Sequence, residues 1–76
     1  MEFIDIGKGN VIPKSRIVAI VSFEAAPIKR MVQDAKENGI VIDATCGHKC
    51  QSVIIMDSKH IVLSAQQAKD LVTDAE

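Results

Sequence analysis

Apolar positions along the chain follow two periods. In FIDIG, residues 3–7, Phe3 and Asp5 alternate with Ile4 and Ile6, the pattern of a first strand. Gly7, Gly9 and Asn10 follow and mark a bend. VIPKS, residues 11–15, reads as a short connection, because Pro13 has no amide to give a central strand. RIVAIVS, residues 16–22, is β-branched and almost continuously apolar, which predicts a central strand covered on both faces. The period then changes. Ile28, Met31, Val32 and Ala35 recur at i, i+3, i+4 and i+7 as one helical stripe, with Lys29, Arg30, Gln33, Lys36 and Glu37 off it. Pro27 suits the first helical position, and Asn38-Gly39 supplies the stop.

Three more strands are predicted: IVIDAT at 40–45, QSVIIMD at 51–57 and HIVLS at 60–64. The loop CGHKC separates the first two, and Asp57-Ser58-Lys59 turns the chain between the others, so the three read as an antiparallel meander. Ser64 with Gln67 has the spacing of a capping box for a short terminal helix that docks Ala68, Leu71 and Val72. The expected fold is α+β in one domain, residues 1–76. It has a mainly antiparallel sheet of about five short strands, one central amphipathic helix and a short C-terminal helix.

Size adds a constraint. A 76-residue chain buries only about 60% of its unfolded surface, yet 47% of its residues are hydrophobic. Two helices cover such a sheet poorly, so part of the apolar surface is expected in contacts between copies. No apolar run approaches the roughly 18 residues of a membrane span, and the acidic start MEFIDIG has no signal-peptide core. The expectation is a cytoplasmic protein with both cysteines reduced and no membrane partner.

Candidate chemistry centres on CGHKC. Cys46 and Cys50 with His48 could begin a metal site, but a structural zinc needs four ligands and the second pair is missing. A redox pair would be Cys-x-x-Cys at a helix start, not Cys-x-x-x-Cys between strands. A Cys nucleophile beside His48 lacks an orienting third group. IGKGN begins like a dinucleotide-binding fingerprint, but Ile12 occupies the third glycine position. The chain therefore reads as a non-enzyme without cofactor, metal or small-molecule substrate. A metal-binding or thiol-sensing assembly protein built on Cys46, His48 and Cys50 stays open as an alternative. Asp43 and Asp57 are expected to bond turn amides, and His60 to cap a strand.

Charge changes the picture more than cysteine does. Nine Lys and Arg against ten Asp and Glu give a net charge of −1, and the aromatics are Phe3 and Phe23 alone. That argues against single-strand readers, which stack bases on aromatic rings. The cations are nevertheless grouped. Lys14, Arg16, His48 and Lys49 fall in or beside loops, while Lys29 and Arg30 fall in the first helical turn, where they oppose the macrodipole. Glu2, Asp70, Asp74 and Glu76 lie near the termini. A near-neutral chain can thus carry a basic edge, and an oligomer would repeat it into a stripe suited to phosphates.

The stretches IGKGN, AAPIKRMVQDAKENG, IDATCGHK and VIIMDSKHIVLSA resemble the bacterial matrix-regulator family typified by RemA, over about Phe3 to Ala65. The resemblance implies a DNA-binding transcriptional regulator of biofilm-matrix genes, a fold like the LytTR DNA-binding domain, and assembly as a closed homo-oligomeric ring on double-stranded DNA. It implies DNA contacts at Arg16, at Lys29 and Arg30 in the segment begun by Pro27 and Ile28, and at the loop of Gly47, His48 and Lys49, with Lys14 beside them. Relatives carry an aromatic before that glycine and Gly-Arg-Arg-Thr-Arg from it. Here those positions hold Cys46 and then Gly47, His48, Lys49, Cys50 and Gln51. A structural ring that has lost DNA binding is the second alternative this leaves.

Overall fold

The computed structural model describes residues 2–75, with side chains described for residues 2–72. Strands β1 (Phe3–Gly7) and β2 (Asn10–Pro13) form an antiparallel ribbon. A 3₁₀ turn at Lys14–Arg16 leads to β3 (Ile17–Ser22) and helix α1 (Ala26–Glu37). Strands β4 (Val41–Asp43), β5 (Ser52–Met56) and β6 (Ile61–Ser64) and helix α2 (Ala68–Ala75) complete the chain. The second sheet has the order β3-β5-β6-β4.

The α+β class stands, with six strands where five are expected. VIPKS is largely strand: Ile12 pairs with Ile4 and Pro13 with Phe3, and a two-stranded edge tolerates the proline. The predicted meander is wrong in one pairing. β5 and β6 are antiparallel, but β4 lies parallel to β6 on its far side. The loop between β4 and β5 must cross the end of β6, two strand spacings or roughly 10 Å. It gives Ala44 N–H to Leu63 O and Gln51 N–H to Ser64 O, at 2.9 and 2.8 Å, straddling that end. CGHKC is therefore not a hairpin tip. RIVAIVS is not central either: β3 is an edge, and Val18 is 66% exposed. The strands covered on both faces are β5 and β6. An apolar run reveals cover, but not order within a sheet.

Three layers result. On one face of the sheet, Val32 and Ala35 of α1 pack on Val53, Ile61 and Leu63. On the other, Ile4 and Ile6 of the ribbon and Leu71 of α2 pack on Ile54 and Val62. The ribbon supplies the cover that two helices alone cannot. α1 starts where expected, with Pro27 in its first turn, and ends at Asn38 and a left-handed Gly39 at φ +70°.

Two buried serines bind the ribbon side together. Ser64 Oγ donates to Ile6 O at 2.7 Å and accepts from Gln66 N at 3.0 Å. Ser52 Oγ donates to Gln66 O at 2.8 Å. Ser64 is thus not the start of a capping box. α2 begins four residues later, where Gln67 O accepts from the amides of Asp70 and Leu71. Replacing Ser64 with Ala leaves the Ile6 carbonyl and the Gln66 amide without this partner. We expect a loss of about 1–3 kcal/mol, measured as a lower urea midpoint at unchanged slope. Ser58→Ala, at an exposed turn, should stay within about 0.5 kcal/mol.

Candidate nucleic-acid interface

The loop that crosses β6 is fixed at its entry. Asp43 accepts from Thr45 N at 2.9 Å and from Thr45 Oγ1 at 2.6 Å, and His48 N donates to Thr45 O at 3.1 Å. Cys46 at φ +53° and Gly47 at φ +84° then reverse the chain in the left-handed region, strained for Cys46 and free for glycine. His48 and Lys49 follow, both exposed.

They line an open groove of about 610 Å³ together with Lys8, Lys69, Gln66 and Asp70. Lys8 comes from the β1–β2 turn and Lys69 from the first turn of α2. Lys49 also borders a second groove of about 240 Å³, shared with Phe23, Glu24, Lys29, Cys50 and Gln51. Lys29 Nζ lies 5.9 Å from the Phe23 ring centroid, a cation–π contact that holds the head group over this end of the sheet. Arg30 borders a separate shallow cavity with Ala26 and Pro27.

The expected contact residues therefore fall into two sets. His48, Lys49 and Lys29 share one end of the molecule, with Arg30 on the next turn-face of the same helix start. Lys14 and Arg16 sit at the other end of β3. The β3–β5 register pairs Ser22 with Ser52 at the loop end and Ile17 with Met56 at the Arg16 end. Five residue-to-residue steps along the strand separate them, roughly 17 Å. Lys8 and Lys69 were not among the expected residues. The signal for Lys8 was present: a lysine between two glycines in IGKGN can only sit at a turn tip. Lys69 gave none, since its position depends on where α2 docks.

Arg16 is paired. Its Nε lies 3.0 and 2.8 Å from the two carboxylate oxygens of Asp57, and Asp57 N donates to Arg16 O at 2.9 Å. Asp57 was expected to bond turn amides and instead holds an arginine. Asp43 does bond a turn amide. His60 Nδ1 is 2.8 Å from Ser58 Oγ within its own turn.

The cysteines are free. Cys46 is exposed, whereas Cys50 is half-buried, with Sγ 3.4 Å from Ser52 O, and burial pushes its thiol above the ordinary value. A raised thiol holds less thiolate, the opposite of a reactive sensor. Among the described residues no three His, Cys, Asp or Glu side chains are grouped to hold a metal ion. Among them, too, no helix is long and apolar enough to cross a membrane.

This small α+β scaffold gathers cations from four elements around open grooves. Comparison with known proteins gives it a family. The model described as extracellular matrix regulatory protein A-like matches residues 3–73, and the chain belongs to this RemA-like family. It is 54% identical over 67 residues to extracellular matrix regulatory protein A of Bacillus subtilis (strain 168), covering 88% of this chain and 75% of the relative. A relative from Alkaliphilus metalliredigens (strain QYMF), provisionally named a regulatory protein, is 57% identical over 88% of this chain and 72% of its own. The names are those of regulators, not of enzymes.

The Asp43–Thr45 clip yields a pH prediction. The Thr45 hydroxyl, then its amide, hold the Asp43 carboxyl below the ordinary carboxylate range, with Lys36 adding to the effect and slight burial opposing it. A depressed carboxylate stabilises the fold above its unfolded value, and the benefit disappears as pH falls through the folded value. In Thr45→Val the Asp43 carboxyl should titrate at higher pH than in wild type, followed by carboxyl-carbon NMR. The part of the stability difference that comes from Asp43 should be present at neutral pH and fade progressively as pH falls below about 4.

Proposed function

We propose that this chain is a DNA-binding transcriptional regulator of the biofilm-matrix type, acting in the cytoplasm as a closed homo-oligomeric ring. The observation that carries the proposal is the continuity of Lys29, Lys49, His48, Lys8 and Lys69 around adjoining grooves, in a chain whose net charge is −1. Such a surface attracts phosphates without reading bases, so affinity should come from charge and repetition. The family's DNA arginines correspond here to His48 and Lys49, and Lys8 and Lys69 border the same groove.

The ring has its own support. Both edges of the four-stranded sheet are open, and each bears an exposed apolar residue: Val18 on β3 and Ile42 on β4. The two edges differ, so contact between them is head-to-tail and closes into a ring when the rotation permits. Phe3 and Val11 add exposed apolar surface on the ribbon.

Titrating a duplex of many tens of base pairs at two salt concentrations tests the reading. Wild type should bind at low salt and weaken steeply as salt rises. Lys49→Ala and Lys29→Ala should each weaken all sequences about equally and lower the salt slope by about one. Absence of binding at low salt, with an intact ring by sedimentation, would favour a purely structural assembly. A monomeric mass would remove both the ring and the avidity.

A further inference from the structure

Arg16 differs from the lysines. Its Nε–H is shared between both Asp57 oxygens, at 3.0 and 2.8 Å. Both side chains are open to solvent, at 58% and 45% exposure. The backbones are tied as well, since Asp57 N donates to Arg16 O at 2.9 Å. Both hydrogen bonds to Asp57 come from Nε, so the Nη1 and Nη2 donors are not used in this pair.

This arrangement has two consequences of opposite sign. The carboxylate cancels most of the arginine's charge at a distance, so the pair attracts phosphate weakly. The same carboxylate fixes the plane of the guanidinium, so its two terminal nitrogens point in a set direction. Fixed paired donors suit a target with two acceptors at matching spacing. In duplex DNA the base edge of that kind is guanine, with O6 and N7 in the major groove.

Resting on the DNA-binding reading, we propose that Asp57 is a positioning residue that converts Arg16 from a phosphate clamp into a guanine reader. General affinity then belongs to the lysine-lined end of the molecule. Sequence discrimination belongs to the Arg16–Asp57 end, roughly 17 Å away along β3. The substitutions at His48 and Lys49 leave this second end untouched.

The test compares random-sequence duplex pools built with guanine or with 7-deazaguanine, which keeps Watson–Crick pairing and removes the N7 acceptor. Wild type should prefer the guanine pool by at least about fivefold, the lower bound for one bidentate contact. Asp57→Asn should bind both pools more tightly than wild type, with a salt slope steeper by about one, and should lose the preference. Asp57→Glu should retain part of it, while Arg16→Lys and Arg16→Ala should abolish it. Equal binding of the two pools by wild type overturns the proposal while leaving DNA binding intact. So does an Asp57→Asn protein with unchanged preference and slope, which would mark the ion pair as merely structural. Failure of every protein to bind either pool at low salt would instead overturn the DNA reading, and this proposal with it.

Discussion

The parallel pairing of β4 with β6 decides where the cations of this protein go. Were β4 and β5 neighbours, residues 44–51 would close a compact hairpin in the plane of the sheet. Because β6 lies between them, the loop must climb over its end, and Ala44 and Gln51 give their amides to Leu63 and Ser64 on the way. Backbone hydrogen bonds left over at the end of β6 are satisfied by this crossing. The loop's remaining residues, from Cys46 to Cys50, are pushed outward beyond the sheet. His48 and Lys49 are displayed as a consequence of sheet order, not of a preference of their own.

The same strand fixes the opposite bank of the groove. Ser64, the last residue of β6, reaches across to the carbonyl of Ile6, and so sets the position of the ribbon whose turn carries Lys8. Gly7 permits the approach. It sits at φ +95°, and a Cβ there would lie 2.9 Å from the Gln66 side chain. Two ties to β6, one through a loop and one through a serine, therefore bring a lysine from the start of the chain beside a histidine and a lysine from its middle. Ser52 acts in parallel on Gln66, so the floor beneath these cations is hydrogen-bonded as well as packed.

Much of this was legible from the chain, though unevenly. The helix was readable because its stripe of Ile28, Met31, Val32 and Ala35 has one period and its stop has one chemistry. The ribbon's core residues Ile4 and Ile6 followed from alternation in FIDIG. Strand order was not readable. IVIDAT, QSVIIMD and HIVLS have the same pattern whether they form a meander or interleave, and only the pairing of Ala44 and Gln51 with β6 separates the two. Ser64 misled because a serine three residues before a glutamine has the spacing of a cap, while its buried position has a stronger claimant in Ile6 O. The cations of the loop and the helix start could be named from local context, and the structure brings His48, Lys49 and Lys29 to one end of the molecule. That Arg16 stands apart from them, and faces Asp57 from 41 residues away, is a fact of register.

On the proposed DNA-binding reading, the separation of the two ends bears on how a near-neutral protein would bind a polyanion. A net charge of −1 gives no long-range steering, so attraction must be local and repeated. Lysines suit that task, because a compact ammonium on a flexible stem tolerates phosphates in many positions. An arginine tied to a carboxylate suits it badly, as most of its field is cancelled nearby. If every cation served only phosphate binding, Asp57 would be a defect placed against one of the two arginines in the chain. Under the proposal that arginine has a different task, one in which direction matters more than charge. The lysine grooves and the Arg16–Asp57 pair would then be complementary: one would supply contact with any duplex, the other a reason to prefer particular ones.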